Sequence, residues 1–344
     1  MKLSLVSVII LNWNGEKYLQ SCLRSVLNQT YPKVEILVVD NDSQDGSVAL
    51  LETKFPQIRL IKSEVNLGFA AGNNLGINQS SGEYMALLNN DTEVDPHWLE
   101  ELIKAADTQP HIGMYASKIK YLQECDTLNS TGVIIYPDLT AINRGIGEKD
   151  TGQYDLHRSV FCPYGAAALY RKDMLNQVGL LDEDYFMFRE EDELGWRANL
   201  AGWKCIYVPT AVVYHYRSAA TKTGSSFKLY YGERNRMYTC FKYLTMSMIL
   251  QTLPHTFKRY AFSSRVISVE ARSGLSKLKL LRTLLRAHLD ALKKSGLMRR
   301  KGSEFLGRYS QTRNHISEIL RAYPASLDDL TGQLRRPSSQ IPSG

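Results

Sequence analysis

The chain has 344 residues, of which 44% are hydrophobic and 22% charged, and its formal net charge is +7. This composition is ordinary for a folded protein, so it excludes a collagen-like or low-complexity chain, and the length predicts about two domains. Residues 1–225 hold 20 Lys and Arg against 28 Asp and Glu, whereas residues 226–344 hold 22 against 7. An acidic body is therefore followed by a basic region that must face anionic groups or solvent.

Strands and helices alternate along the first hundred residues. Apolar, β-branched runs predict strands at 6–11, 35–39, 58–61 and 84–88, with a helical stripe after Gly15 and a helix opening at Asp95-Pro96. This spacing is typical of βαβ units. We therefore expect an α/β fold with a mostly parallel sheet and helices on both faces, which would bind ligands at the carboxyl ends of its strands.

The second half of the chain is less regular. Periodicity weakens over 121–160, which predicts a long insertion or irregular hairpin, and resumes with helices near 171–178 and 190–200 and strands at 205–208 and 212–216. From residue 226 the pattern predicts basic helices, with leucines lining one face of 276–294. We divide the chain into an α/β domain at 1–225, a basic helical region at 226–332 and a disordered tail at 333–344.

The apolar segments of the sequence are too short to predict a membrane span. The longest charge-free apolar stretch, 243–257, has 15 residues, whereas a spanning helix needs about 20. The apolar start ends in Asn12-Trp13-Asn14-Gly15 rather than in small residues, which favours a first strand over a signal peptide. Five widely spaced cysteines without a C-x-x-C pair favour reduced thiols in a cytosolic compartment.

Polar residues follow three of the predicted strands. Asn12 and Asn14 belong to a turn that lacks the G-x-G-x-x-G pattern of dinucleotide sites and is equally well a simple Asn-Gly turn. Asp40 ends the second strand, where capping of the next helix does not explain it. Asp91 follows the fourth strand, where a carboxylate can hold Mg²⁺ or Mn²⁺ against a diphosphate, although turn-forming clusters have the same composition.

Three further features could carry chemistry. Glu190, Glu191, Asp192 and Glu193 open a predicted helix, where negative charge is favourable by itself. Adjacent carboxylates also raise one another's pKa, which suits a general base. The glycine-rich stretch 66–76 allows either close approach to a ligand or tight helix packing, and His215 on a strand is more often a packed residue than a ligand.

Taken in order, six stretches of the chain resemble the family-2 glycosyltransferases of GT-A fold, and among them the rhamnosyltransferase-like branch of bacterial polysaccharide synthesis. The stretches are VSVIILNWNG, EILVVDNDSQDGS, NLGFAAGNNLGI, YMALLNNDTEV, FMFREEDELGWR, and VVYHYRSA with KLYYGERNR after it. The resemblance implies an inverting hexosyltransferase that moves one sugar from a nucleotide-diphosphate donor, dTDP-rhamnose favoured, to a glycan or lipid-linked acceptor. The alternatives are a UDP-hexose or UDP-N-acetylhexosamine donor, or a relative that binds without catalysis.

The resemblance also implies roles for individual residues. Glu191 would be the catalytic base, with Asp192 as the alternative, and Asp91, at the last D-x-D position, would bind Mg²⁺ or Mn²⁺ with His215 nearby. The implied donor-binding residues are Asn12, Asn14, Asp40, Asn41, Gly68, Gly72, Asn74, Asn89, Asn90 and Asp91.

The chain departs from the family pattern at two of these positions. Asn89 stands at the first D-x-D position, so the metal site has one carboxylate fewer. Asn74 stands where some relatives have Arg, which leaves the diphosphate charge to the metal, His215, Lys222 or Arg234. The Q-x-x-R-W motif of processive synthases is absent, which favours addition of a single sugar.

The basic region predicts a partner of its own. Amphipathic helices there would lie on the inner face of the cytoplasmic membrane and bring the site to a lipid-linked acceptor. Binding to nucleic acid is disfavoured, because residues 263–304 contain no Phe, Trp or Tyr to stack on bases. A nucleotidyltransferase is disfavoured because the turn after the first strand lacks a basic, glycine-rich loop, and the oligomeric state stays open.

Overall fold

A computed structural model describes residues 3–216, 226–270, 277–309 and 314–334. The strands are β1 (Val6–Asn12), β2 (Val34–Asn41), β3 (Arg59–Ser63), β4 (Tyr84–Asn89), β5 (Thr92–Val94), β6 (Ile112–Tyr121), β7 (Glu124–Ser130), β8 (Val133–Ile135), β9 (Ala141–Asn143), β10 (Ser159–Val160), β11 (Ala167–Arg171) and β12 (Lys204–His215). The helices are α1 (Glu16–Leu27), α2 (Ser47–Lys54), α3 (Gly68–Asn78), α4 (Trp98–Asp107), α5 (Lys172–Val178), α6 (Glu190–Leu200), α7 (Ser226–Tyr243), α8 (Met246–Glu270), α9 (Lys277–Lys293), α10 (Ser295–Arg308), α11 (Asn314–Ala322) and α12 (Leu327–Leu334).

The central sheet has the order β10-β12-β6-β11-β4-β1-β2-β3. Strands β3, β2, β1 and β4 are parallel, as are β6 and β12, and β11 runs antiparallel between β4 and β6. The α/β fold with a mostly parallel central sheet is therefore confirmed. Register aligns Asn12 with Asp40 and Leu11 with Asn89, so the polar ends of β1, β2 and β4 meet at one edge.

Helices cover both faces of this sheet, because alternate residues of β1 enter opposite cores. Val8 packs in one core with Leu23 of α1, whereas Ile9 packs in the other with Ala70 of α3. The glycines of α3 allow this second helix to lie close: a Cβ on Gly72 would stand 2.5 Å from the Leu11 side chain. At this position the structure shows tight helix packing.

Two predicted boundaries were wrong. Helix α4 begins at Trp98 rather than at Asp95, because Asp95 accepts hydrogen bonds from the N–H groups of His97 and Trp98 and so forms a turn before the helix. The two strands expected at 205–208 and 212–216 are the single strand β12, whose register with β6 shifts between Val208 and Val212. An irregular strand of this kind reads in sequence as two strands with a break.

The insertion and the basic region both pack onto the α/β body. Residues 121–160 form the β6–β7 hairpin and a separate two-stranded sheet of β8 and β9. Met298 and Phe305 of α10 join the same apolar core as Trp196 of α6. Within the described ranges, no helix is both long enough and apolar enough to cross a membrane. The domain division at residue 225 stays a prediction, and the tail from 335 lies outside the described residues.

Candidate functional site

The ends of β1, β2 and β4 are joined by one chain of side-chain hydrogen bonds. The amide nitrogen of buried Asn12 donates to Asp40 Oδ1 at 3.1 Å and to the Ser43 hydroxyl at 3.1 Å. Its oxygen accepts from the Asn90 amide at 2.8 Å. Asp40 also accepts from the N–H of Ser43 at 3.1 Å. The structure thus brings together three residues that the sequence placed at separate strand ends.

Asn14 and Asn41 hold the loops around this edge. Asn14 has a φ of 50°, and its oxygen accepts from the N–H of Gln44 at 2.7 Å. The Asn41 amide donates to Gly68 O at 3.2 Å, and its oxygen accepts from the N–H of Leu67 at 2.8 Å. These contacts fix the turn after β1 and the entry to α3, and a donor role for both residues stays a prediction.

The start of α3 packs against the loop that precedes α6. Gly68 has a φ of +76°, and a Cβ there would lie 2.5 Å from the Phe186 carbonyl oxygen. That oxygen accepts from the N–H groups of Phe69 and Ala70 at 2.6 and 3.2 Å. Asn74, farther along α3, donates to Leu181 O at 2.9 Å and accepts from its N–H at 3.1 Å. Asn74 therefore ties α3 to the chain that leads to α6.

Asp91 and His215 lie side by side, because β5 pairs with the end of β12. Asp91 Oδ1 is 3.3 Å from His215 Nε2, and both residues are buried. His215 Nδ1 is 2.9 Å from Asn129 Oδ1, and a ring that carries its proton on Nδ1 would donate to this oxygen. In the neutral ring the lone pair then lies on Nε2, facing Asp91. No sequence pattern marked Asn129, which lies in the irregular insertion.

This pair could form part of a divalent-cation site. A carboxylate oxygen and an imidazole nitrogen with its lone pair exposed are both common ligand atoms. In the part of the chain that the structure describes, no group of three His, Cys, Asp or Glu side chains is arranged to hold a metal. The protein would thus supply two ligands, and substrate phosphate and water would supply the others, as is usual for Mg²⁺.

Glu191 stands at the start of α6 with one carboxylate oxygen unsatisfied. The Gly165 N–H donates to Oε1 at 3.3 Å, whereas Oε2 is buried without a hydrogen-bond partner among the described residues. Burial, followed by the neighbouring charge of Asp192, raises the pKa of Glu191 to about 7. A carboxylate with that pKa and a vacant lone pair is suited to accept a proton near neutral pH.

Asp192 is the better satisfied of the two candidate bases. Burial raises its pKa to about 6, against the opposing effect of Arg189. Arg189 donates to Asp192 Oδ2 at 3.4 Å, and the Cys162 thiol lies 3.9 Å from Oδ1. Both oxygens of Asp192 therefore have partners, and the geometry favours Glu191 as the base.

Tyr164 connects the base to the Asp91–His215 pair. Its ring packs edge-on against His215 at 6.2 Å between centroids. Burial, then the charges of Glu191 and Asp91, raise the pKa of Tyr164. Because the charges of both Glu191 and Asp91 act on the Tyr164 phenol, the base and the Asp91–His215 pair lie near each other. Tyr164 lies in an irregular segment where no sequence pattern marked it.

Arg234, one of the basic residues expected to neutralise a diphosphate, is placed differently from that expectation. Arg234 is committed to the loop before α6, since it donates to Asp184 O at 3.2 Å and Tyr185 O at 2.8 Å. It therefore closes the junction between α7 and the α/β body. Lys222 lies outside the described residues.

Comparison with known proteins matches this architecture. A family model described as glycosyl transferase family 2 matches residues 7–179. The chain is 30% identical over 203 residues to an uncharacterized glycosyltransferase of Haemophilus influenzae, covering 57% of this chain and 62% of that protein. It is 27% identical over 244 residues to the N-acetylglucosaminyl-diphospho-decaprenol L-rhamnosyltransferase of Mycobacterium tuberculosis (strain ATCC 25618 / H37Rv), covering 62% of this chain and 76% of the relative. The chain thus spans less than two thirds of the first relative's length.

Solved structures share the fold. The mannosyltransferase PcManGT from Pyrobaculum calidifontis, solved with GDP-Man and Mn²⁺, has a TM-score of 0.51 and 14% identity, covering 96% of this chain and 86% of that chain. S. aureus TarS 1-349, solved with UDP-GlcNAc, has a TM-score of 0.55 and 18% identity, covering 94% of this chain and 89% of that chain. At these identities the likeness shows the GT-A fold alone.

Proposed function

Because the chain belongs to glycosyl transferase family 2 and is a glycosyltransferase, we propose that it transfers one sugar from a nucleotide-diphosphate donor to a hydroxyl group with inversion. The observation that carries this proposal is Glu191, a buried carboxylate with a vacant oxygen and a pKa near 7. It contacts the N–H of Gly165, and the adjacent Ala166 pairs with Asn89 at the carboxyl end of β4, the edge where open α/β sheets bind ligands.

The chemistry is a single displacement. Glu191 takes the proton of the acceptor hydroxyl as that oxygen bonds to the anomeric carbon, on the face opposite the diphosphate. The bond from the anomeric carbon to the diphosphate oxygen breaks, and the nucleoside diphosphate leaves with the electron pair. One step inverts the anomeric centre, so no covalent intermediate with the protein forms. Proton removal of this kind contributes roughly 10²–10⁴-fold in rate.

Asp91 and His215 are proposed to hold Mg²⁺ or Mn²⁺ when the donor is bound. The fit rests on the facing Asp91 Oδ1 and His215 Nε2 atoms and on Asn129, which would accept the imidazole proton carried on Nδ1. A divalent cation there would offset the negative charge that develops on the departing diphosphate. The mannosyltransferase from P. calidifontis, whose structure holds GDP-Man and Mn²⁺, supports a metal in this fold.

Asn12 and Asp40 are proposed to recognise the nucleobase, and dTDP-rhamnose is the favoured donor. Support comes from the mycobacterial relative, which is named a rhamnosyltransferase. UDP-hexoses and UDP-N-acetylhexosamines are the alternatives, and the TarS structure with UDP-GlcNAc gives them a basis. Asp40 accepts hydrogen bonds from Asn12 and Ser43 and lies at the sheet edge, where a pyrimidine N–H could reach its carboxylate.

Helix α9 is proposed to rest on the inner face of the cytoplasmic membrane. Its leucine stripe is solvent-facing, with each side chain at least 51% exposed, at Leu278, Leu281, Leu285, Leu289 and Leu292. Arg282, Arg286 and Lys293 lie along the same helix, so apolar and cationic groups are available together for an anionic lipid surface. The acceptor would then be a lipid-linked saccharide.

Nucleotide binding tests the proposed function directly. Calorimetry with dTDP, UDP and GDP, each with and without Mn²⁺, is expected to show metal-dependent binding strongest for dTDP. A preference for UDP would keep the reaction and replace rhamnose as the donor sugar. Binding that ignores Mn²⁺ would remove the metal from Asp91, and failure to bind any of the three nucleotides would overturn the proposal.

A further inference from the structure

One buried amide on α7 holds the loop that leads into the catalytic helix. Asn235 is fully buried, and the two N–H donors of its Nδ2 are shared among Tyr185 O at 2.9 Å, Met187 O at 2.9 Å and Phe188 O at 2.7 Å. Carbonyl groups taken out of water need donors, and these three converge on one side chain. Tyr185 O also accepts from the N–H of Met187 at 2.7 Å and from Arg234, so the distinctive contribution of Asn235 is to Met187 O and Phe188 O.

The loop needs such support because its backbone is unfavourable. Phe186, Phe188 and Arg189 have φ values of 63°, 67° and 71°. The left-handed region costs a residue with a side chain about 1 kcal/mol or more, and such residues persist only where their surroundings hold them. Three of them within four positions form a turn that would relax without outside contacts.

This turn borders both halves of the proposed site. On one side, the Phe186 carbonyl oxygen accepts from the N–H groups of Phe69 and Ala70 at the start of α3. On the other side, Arg189 directly precedes α6, whose second residue is Glu191. A shift of the turn would therefore move the base and loosen the glycine-rich segment at the same time.

Neighbouring residues of α7 orient Asn235 and the ends of the turn. Arg234 Nε donates to Asn235 Oδ1 at 2.9 Å, which fixes the amide with its nitrogen toward the carbonyl groups. Arg189 Nε donates to Gly232 O at 2.8 Å, and the Phe186 ring stacks on Tyr231 with centroids 5.5 Å apart. Residues 231–235 of α7 thus contact the loop from Tyr185 to Arg189.

We propose that Asn235 is a positioning residue for sugar transfer, which holds the turn at 185–189 so that Glu191 and the start of α3 keep their reactive arrangement. The kinetic part of this inference rests on the proposed function. Its structural part does not, because the hydrogen bonds can be tested without turnover.

Hydrogen exchange of the full chain tests the structural part. Asn235→Ala removes the donors, and Asn235→Asp keeps the shape while placing a carboxylate against three carbonyl oxygens. Both variants should speed amide exchange by roughly tenfold or more at 185–191 and at Phe69 and Ala70. Tyr260→Phe is the matched control. It removes a part-buried 2.6 Å hydrogen bond to Glu233, which lies on α7 like Asn235 but does not contact the turn through this bond. Unchanged exchange at these sites, or loss of folding in both Asn235 variants, would overturn the proposal.

Kinetics tests the role in the reaction. In Asn235→Ala, kcat should fall by roughly tenfold or more while the Kd for the nucleotide changes by less than about threefold. Water entering beside Glu191 should also lower its pKa, so the acidic limb of kcat should move to lower pH. The charged or titratable groups that interact with Glu191 stay unchanged in the variant: Glu190, Asp192, Arg189, Tyr164, Cys162 and Tyr170. A folded variant with normal kcat and altered exchange would reduce Asn235 to a structural residue.

Discussion

Two glutamates, two residues apart on α6, have opposite environments. Glu193 accepts from Arg197 at 2.9 Å, Lys242 at 2.8 Å and Tyr243 at 2.7 Å. Burial opposes its charge, but Arg197 and Lys242 outweigh burial and lower the pKa of Glu193. Glu191 is shielded from water with no cation strong enough to reverse the effect, and its pKa rises to about 7. One helix therefore carries a carboxylate that binds the C-terminal helices and another that is left available for chemistry.

This difference shows that the four acidic residues at the start of α6 do not share one environment. Helix-end electrostatics alone would favour all four carboxylates in their charged form. Burial reverses this for Glu190, Glu191 and Asp192, whose pKa values are all raised. Keeping such groups is costly to stability, as is common for residues held for function.

Replacement of the base should give the largest effect. Glu191→Gln should lower kcat by roughly 10²–10⁴-fold, because an amide cannot take the acceptor proton. Donor binding should stay nearly unchanged, since Gln keeps the shape. Turnover of purified variants is the measurement, with Asp192→Asn as the matched control, for which we expect less than about a tenfold loss. If Asp192→Asn were the more damaged variant, the base would be Asp192.

Neutralising the other glutamate should instead cost stability. Glu193→Gln leaves Arg197 without its buried counter-ion, which should lower the free energy of unfolding by about 3 kcal/mol. Because the pKa of Glu193 is lowered in the folded state, the loss should be complete above about pH 5 and should fade as the pH decreases below 4.5. Denaturant unfolding at pH 7 and pH 4 measures both, and an equal loss at the two pH values would contradict the ion-pair account.

Glu191→Gln should change stability in the opposite direction. A raised pKa means that the folded state binds the proton more tightly, so wild-type stability falls as the pH rises from about 4.5 to 7. The variant escapes this fall and should be more stable at pH 8 by up to about 3 kcal/mol, with little difference below pH 4.5. Thermal unfolding at both pH values measures the effect. A variant less stable than wild type at pH 8 would show that Glu191 is paired in solution.

Substitutions on the exposed face of α9 should have the smallest effect on the reaction itself. Replacing Leu281 and Leu285 by Ser removes exposed apolar groups and should reduce co-sedimentation with anionic vesicles by roughly tenfold or more. Turnover of a water-soluble acceptor should be unchanged, because both side chains are exposed and do not belong to the described core. Leu156→Ser, at an exposed leucine elsewhere, is the control. Equal vesicle binding by the two variants would remove α9 as the membrane surface.

Local patterns in the sequence were sufficient for the parallel strands β1 to β4 and for half of the site, whereas the central strands β6 and β11 were not predicted. Parallel strands place their carboxyl ends at one edge, so the juxtaposition of Asn12, Asp40 and Asn90 follows from three predicted strands. The start of α6 at Glu190 was also predicted, because four acidic residues mark it.

The residues that the sequence did not reveal come from segments without periodicity or from distant helices. Asn129 and Tyr164 lie in the irregular stretch, and Asn235 acts on a loop 47 to 50 residues earlier. Their roles depend on tertiary contacts, and the local sequence around an Asn or Tyr does not predict a contact with a distant segment. The environment of Glu193 was hidden likewise, because Lys242 and Tyr243 of α7 create it.

The pH dependence of kcat tests the central claim that a buried Glu191 is the catalytic base. With the donor that calorimetry selects, wild-type kcat should fall as the pH decreases, with a slope of one and a midpoint near the pKa of Glu191, about 7. A kcat that stays constant between about pH 5 and pH 8 would contradict the claim, since no group with a raised carboxylate pKa would then limit the reaction.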